Sequence, residues 1–257
     1  MNHAQNPSGG YLEVDSSRIY YELAGNPQGK TLLILHGGLG SSREMACLQA
    51  HIAEDYQLIS MDFRGHGRST LGQQPLSYAR YQQDVETLLN HLGVEQYSVL
   101  GFSDGGIVAY RLAAYHPGRV VRLIAIGAQW RLLPDDPSIE VLKGLNADFW
   151  RQRFAGDVTW YQSANPEPDF DLLVDRVKAV WLDSSESGYP NKLVEQVRCP
   201  VLQIRGDKDF LFSLHEACAL AERLQHSDLC NVPFASHAVH QEAQDIVGPV
   251  VKRFLLT

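Results

Sequence analysis

Gly101-Phe102-Ser103-Asp104-Gly105-Gly106 follows the apolar run Tyr97–Gly101 and opens Asp104–Tyr115, whose pattern reads as a helix ending before Pro117. A serine in a G-x-S-x-G context at a strand-to-helix junction sits on a sharp, strained turn, and the small residues around it let that turn close. The stretch therefore supplies both a candidate nucleophile, Ser103, and a local fold, strand then turn then helix.

The same alternation extends in both directions. Thr31–Leu35, most of Gln57–Met61, Val121–Ile126 and Val201–Ile204 are short apolar runs of the kind buried on both faces of a parallel sheet. Leu229–Val232 is a candidate last strand. Leu12–Val14 and Ile19–Leu23, joined by Asp15, Ser16 and Ser17, read as an opening hairpin. Ala79–Leu92 carries Tyr81, Val85, Leu88, Leu89 and Leu92 on one helical stripe, with Gly93 placed to end it. Leu214–Leu224 and Gln241–Leu255 are two further helices. Strands alternating with helices predict an α/β fold with a mostly parallel sheet covered on both sides. One segment breaks the pattern. Trp130–Val197 has no strand-like run, holds all four tryptophans, and suggests amphipathic helices around Ile139–Phe154 and Phe170–Leu182. It reads as a helical cap (130–197) inserted into a core made of 1–129 and 198–257.

Composition narrows the function. The chain has 257 residues, 44% of them hydrophobic, enough for one domain with a large core. Its formal charge of −8 argues against a non-specific nucleic-acid surface. The most apolar stretch, Val120 to Ala128, is short and broken by Arg122, so no membrane span is expected. The N-terminus, MNHAQNPSGG, has neither a basic start nor an apolar core, so it does not read as a signal peptide. Cys47, Cys199, Cys218 and Cys230 form no CxxC and no regular frame. They read as buried free thiols in a reducing, cytoplasmic setting.

Three more sites carry chemistry, each just past the end of a strand, where open α/β sheets hold their ligands. His36-Gly37-Gly38 can turn backbone N–H groups toward a developing oxyanion; the Gly38 N–H would pair with that of Asp104, with Leu39 as a second donor. His36 itself reads as structural. Arg205-Gly206-Asp207-Lys208-Asp209 offers two candidate acids, and Ser236-His237-Ala238 offers a base, with His240 as a rival. Nucleophile, acid and base then run Ser, Asp, His, unlike the chymotrypsin and subtilisin orders. His237-x-x-His240 has no third ligand at motif spacing, so neither a metal nor another cofactor is expected.

With HGG at His36–Gly38, DFRGHGRS at Asp62–Ser69, GFSDGG at Gly101–Gly106, GDKD at Gly206–Asp209 and SHAVHQE at Ser236–Glu242, the chain resembles the α/β-hydrolases over nearly its whole length. The resemblance implies a sheet of about eight strands with a cap inserted before the acid-bearing strand. It also implies a Gly-x-x-Asp acid, which selects Asp209 and leaves Asp207 as a turn-former bonding its own backbone. A histidine followed closely by a glutamate selects His237 with Glu242. The catalytic set is then Ser103, Asp209 and His237. Ser236 stands where the family often has glycine. Asp62 and Arg64 are expected to tie one loop together, with His66 structural.

Ser103 excludes the dehalogenases and epoxide hydrolases of this fold, which need an aspartate there. An intact triad argues against a receptor that has lost catalysis. An ester hydrolase is favoured over a C–C bond hydrolase of aromatic degradation, or a lyase or cofactor-free oxygenase on the same fold. The SDGG form of the elbow and Ile124–Ala128 resemble the biphenyl-hydrolase-like proteins, or valacyclovirases, which hydrolyse α-amino acid esters. That resemblance gives Asp104 a second task, reading a substrate amine, although a carboxylate at a helix start is also favoured by the helix dipole alone. Aromatics of the cap are expected mainly to pack, with Trp130 a candidate for the substrate pocket. The expected partner is a small ester, and the expected assembly a monomer or homodimer.

Overall fold

The computed structural model describes residues 8–257, so the reading of the N-terminus rests largely on positions outside the described residues. Eight strands form one sheet: β1 Ser8–Val14, β2 Ser17–Gly25, β3 Lys30–Leu35, β4 Tyr56–Met61, β5 Tyr97–Phe102, β6 Val120–Ile126, β7 Val201–Gly206 and β8 Ser227–Val232. Their spatial order is β1-β2-β4-β3-β5-β6-β7-β8; the β1–β2 and β2–β4 pairings are antiparallel and all the others parallel. This is the α/β architecture that the apolar runs imply.

Two-residue alternation divides the strands' side chains between two cores. Leu33, Leu35 and Val99 pack under helices α2 (Tyr78–His91) and α3 (Asp104–Tyr115). Leu32, Ile34 and Leu100 face α1 (Ala46–Ile52) and the C-terminal helix. A side chain on each face at every step requires the unbroken apolar runs seen in the sequence. Ser77 caps α2 by accepting the Arg80 N–H, and Gly93 stops it with φ +67°.

Between β6 and β7 the chain leaves the sheet and forms α4 (Ser138–Gly144), α5 (Ala147–Arg153), α6 (Ala155–Ala164) and α7 (Phe170–Trp181). The expected single helix over Ile139–Phe154 is two, because Asn146 is extended and accepts the Phe149 N–H as an N-cap. After β7 come α8 (Leu214–Ala221) and, beyond β8, α9 (Val239–Glu242) and α10 (Gln244–Leu256). The expected continuous helix from Gln241 is broken at Ala243, whose φ/ψ of −138°/53° is not helical. All four cysteines are free; Cys199 is buried as expected, but Cys218 is exposed on α8.

The loop after β4 differs from its expectation. Asp62 accepts N–H groups of Ser42 and Arg68 and the Arg68 Nε, so it does tie the loop. Arg64 instead leaves the loop and forms a buried two-point pair with Asp84 on α2, at 2.9 and 2.6 Å. Removing one member of a buried pair strands the other charge. Asp84→Ala is expected to lower unfolding stability by about 3–5 kcal/mol in urea titration. A loss under about 1 kcal/mol would mean that Asp15, 3.9 Å from Arg64, takes over as partner.

Candidate active site

The end of β5 runs into α3 through Ser103, whose φ/ψ of 49°/−116° is a strained combination for a residue with a side chain. The turn closes only with glycines. A Cβ on Gly101 would lie 2.2 Å from the Gly105 carbonyl oxygen, and one on Gly105 would lie 2.4 Å from that of Leu35. Ser103 is held by its N–H to the Ile126 carbonyl at 2.8 Å, while its own carbonyl accepts the Gly106 and Ile107 N–H groups. The Oγ is thereby pushed out above the sheet.

His237 Nε2 stands 3.1 Å from Ser103 Oγ, and both Asp209 oxygens lie 3.0 Å from His237 Nδ1. Asp209 is buried, and its Oδ1 also accepts the Leu211 and Phe212 N–H groups. Those two bonds fix the carboxylate and give it the turn-forming contacts expected of Asp207. Asp207 is exposed and makes no side-chain hydrogen bond among the described residues. Glu242 fixes the histidine loop by accepting the Ser236 N–H at 2.7 Å and the Ser236 hydroxyl. The serine in place of the family's glycine thus contributes a second bond to that glutamate.

His240 does not reach this group. It is fully buried against the Phe102 ring at 4.4 Å, and burial, reinforced by His237, drives its pKa down to about 3. His36 is structural, as read: its Nε2 accepts the Phe63 N–H at 2.8 Å and its Nδ1 pairs with the Gly37 carbonyl at 2.7 Å. His66 is buried, with Nδ1 on the Arg64 carbonyl.

A serine, a histidine bonded to it and a carboxylate bonded to the histidine, in this chain order on this sheet, match the geometry of a known arrangement. Residues 30–162 match the model of the alpha/beta hydrolase fold family. The chain belongs to the α/β-hydrolases. It is 26% identical over 261 residues to Serine hydrolase BPHL of Mus musculus, covering 95% of this chain and 85% of that one. It is 36% identical over 115 residues to a proline iminopeptidase of Xylella fastidiosa, but the match covers 44% of this chain and only 37% of that relative. Among solved structures, the 2-hydroxy-6-oxo-6-phenylhexa-2,4-dienoate hydrolase of Rhodococcus sp. strain RHA1 superposes with a TM-score of 0.81 at 18% identity, covering 98% of this chain and 99% of that one. No helix among the described residues of this α/β-hydrolase is long and apolar enough to cross a membrane.

Ser103 and His237 open into a cavity of about 730 Å³ that Gly38 and Asp104 also line. Three of the four tryptophans, Trp150, Trp160 and Trp181, form part of its wall. Trp130, the one expected there, does not line it. It is buried beside Arg131 and Arg223, at 4.3 and 5.2 Å, because it lies just after the end of β6, next to the sheet.

Asp104 is the unusual member of this wall. It is 2% exposed and its carboxylate accepts the Tyr78 hydroxyl at 3.0 Å and the Trp181 Nε1–H at 3.0 and 3.1 Å. No lysine or arginine pairs with it among the described residues. Burial pushes its pKa up to about 6, and the bonds from Trp181 and Tyr78 and the nearness of His237 limit the rise. A helix-start role alone would not need two buried donors from elements so far apart in sequence. Sequence reasoning did not find Tyr78 or Trp181, since nothing local marks a tyrosine at the start of α2 or a tryptophan at the end of α7 as ligands of one carboxylate.

Proposed function

We propose that the chain is a carboxylic ester hydrolase that works through an acyl-enzyme on Ser103 and takes α-amino acid esters. The Ser103–His237–Asp209 relay supports the first part. As His237 Nε2 accepts the hydroxyl proton, Ser103 Oγ bonds to the ester carbonyl carbon, and the C=O electron pair moves to oxygen. The N–H groups of Gly38 and Asp104 hold that oxyanion. Collapse expels the alkoxide, which takes the proton from His237 and leaves as the alcohol. Water then repeats the sequence on the acyl-enzyme, giving the acid and free Ser103. Asp209 holds the imidazole in the right tautomer and stabilises its cation throughout. In this reading 1–129 and 198–257 form the core and 130–197 the cap that walls the acyl pocket.

The observation that carries the amino-ester reading is Asp104, a buried carboxylate at the cavity wall with neutral donors and, among the described residues, no lysine or arginine partner. Its charge would oppose an oxyanion close by, and a substrate ammonium would both balance it and be held by it. The same carboxylate disfavours the C–C bond hydrolases of this fold, which usually carry an apolar residue there.

A charge-assisted hydrogen bond contributes about 1.5–3 kcal/mol, which is roughly 10- to 150-fold in kcat/KM. Asp104→Asn is expected to cut kcat/KM for an amino-acid ester by about that factor and to spare its des-amino analogue. Equal losses on both esters would make Asp104 a structural helix-start residue. The sign with pH follows from its raised pKa. Above about 6 the group is an anion and the amino ester is preferred; as pH falls through about 6 it is protonated and the preference shrinks. The ratio of the two esters' kcat/KM cancels any pH dependence that the two reactions share. A ratio flat from pH 5 to pH 7.5 would remove Asp104 from amine binding.

A further inference from the structure

The loop that carries Gly38 is flanked by a second pocket-facing carboxyl. Glu44, in the short helical turn Ser42–Met45, accepts the Gly37 N–H through Oε1. Its carboxyl lies flat on the loop, since a Cβ on Gly40 would come 2.7 Å from Oε2. On the other side, a Cβ on Gly38 would come 2.6 Å from Asp104 Oδ2. The loop is thus packed between two carboxyl groups, both lining the Ser103 cavity.

The surroundings of Glu44 are short of positive charge. Asp104 faces it from the start of α3, Asp157 from α6 and Asp62 from behind the loop, and all three disfavour its anion. Asp62 is already paired with Arg68 at 2.9 Å. From the histidine loop, Gln241 donates to the Glu44 backbone carbonyl at 3.5 Å, and Cys47 packs on that carbonyl from α1. His240 there is held neutral, and His237, Glu242 and Arg153 stand elsewhere on the cavity wall. The neighbouring Arg43 spreads its guanidinium over Trp160 at 4.4 Å. No arginine or lysine forms an ion pair with Glu44 among the described residues.

We propose that Glu44 is a positioning residue for the oxyanion hole that works as a neutral carboxylic acid. Its Oε1 anchors the Gly37 N–H and so sets the angle of the loop presenting the Gly38 N–H, while loss of its proton places a negative charge beside the developing oxyanion. Burial first, then the three carboxylates, push its pKa up to about 8, against the pull of the Gly37 N–H. The acid is therefore neutral at physiological pH and lost in mild alkali. A negative charge on the loop that presents the Gly38 N–H, in a half-buried wall of the cavity, is enough to slow attack by about tenfold. The inference rests on the serine-hydrolase reading.

The test is the rate of Ser103 labelling by a fluorophosphonate, followed by intact-protein mass spectrometry from pH 6 to 10. This readout needs no substrate and avoids titration of a substrate amine. The wild-type rate is expected to lie about tenfold below its plateau by pH 9. Glu44→Ala should label about tenfold more slowly at pH 7, because the loop loses its anchor. Glu44→Gln keeps an acceptor for the Gly37 N–H but cannot ionise. It should restore most of the rate lost in Glu44→Ala and abolish the alkaline fall. Parallel pH curves for wild type and Glu44→Gln, or a Glu44→Ala variant as fast as wild type, would overturn the role of Glu44 alone. A wild-type protein that is not labelled at any pH would overturn the serine-hydrolase reading with it.

Discussion

Ser103→Ala is expected to lower kcat on any ester by about 10⁵–10⁶-fold. In the proposed mechanism the removed atom is the one that bonds to the acyl carbon, and among the described residues no other hydroxyl is bonded to His237 Nε2. The strained backbone at Ser103 is set by Gly101, Gly105 and the Ile126 carbonyl, so alanine should keep the turn and the fold. The variant should retain substrate binding in the Asp104 wall while turning nothing over. Residual hydrolysis within about tenfold of wild type would place the chemistry on another group.

The second large effect separates near neighbours in sequence. His237→Ala should cost nearly as much as Ser103→Ala, because serine without its base is a poor nucleophile at neutral pH. His240→Ala, three residues on, should change kcat by less than about tenfold, since it removes a buried neutral ring packed on Phe102 and no reacting atom. Asp209→Asn should lower kcat by about 10⁴-fold by losing the correct imidazole tautomer. Asp207→Asn should do almost nothing, because that side chain is exposed. Steady-state kinetics on one ester ranks all four. A variant of Asp207 more damaging than one of Asp209 would contradict the bonds that hold Asp209 to Leu211, Phe212 and His237.

The parts of the site that were legible in the sequence are those set by backbone turns. The G-x-S-x-G turn works through close approach of glycines to backbone oxygens, so the residues that make it are contiguous. The Gly-x-x-Asp and His-to-Glu spacings are local for the same reason: Asp209 bonds its own next turn, and Glu242 reaches back six residues to Ser236. What was missed arises from packing at a distance. Trp181 meets Asp104 across 77 residues, and Arg64 meets Asp84 across 20, with no pattern linking either pair. Helix α6 was unread because only Val158 and Tyr161 are buried on it, too few to make a stripe. Glu44 sits in a one-turn helix whose only sign is a carboxylate shortly after the glycines of the loop.

Activation of Ser103 by His237 is tested by reaction of the wild-type protein with one equivalent of a fluorophosphonate, followed by proteolysis and tandem mass spectrometry. One adduct per chain is expected, on Ser103, and none in His237→Ala on the same timescale. An unmodified Ser103 in the wild-type protein, or an adduct that forms equally fast without His237, would contradict it.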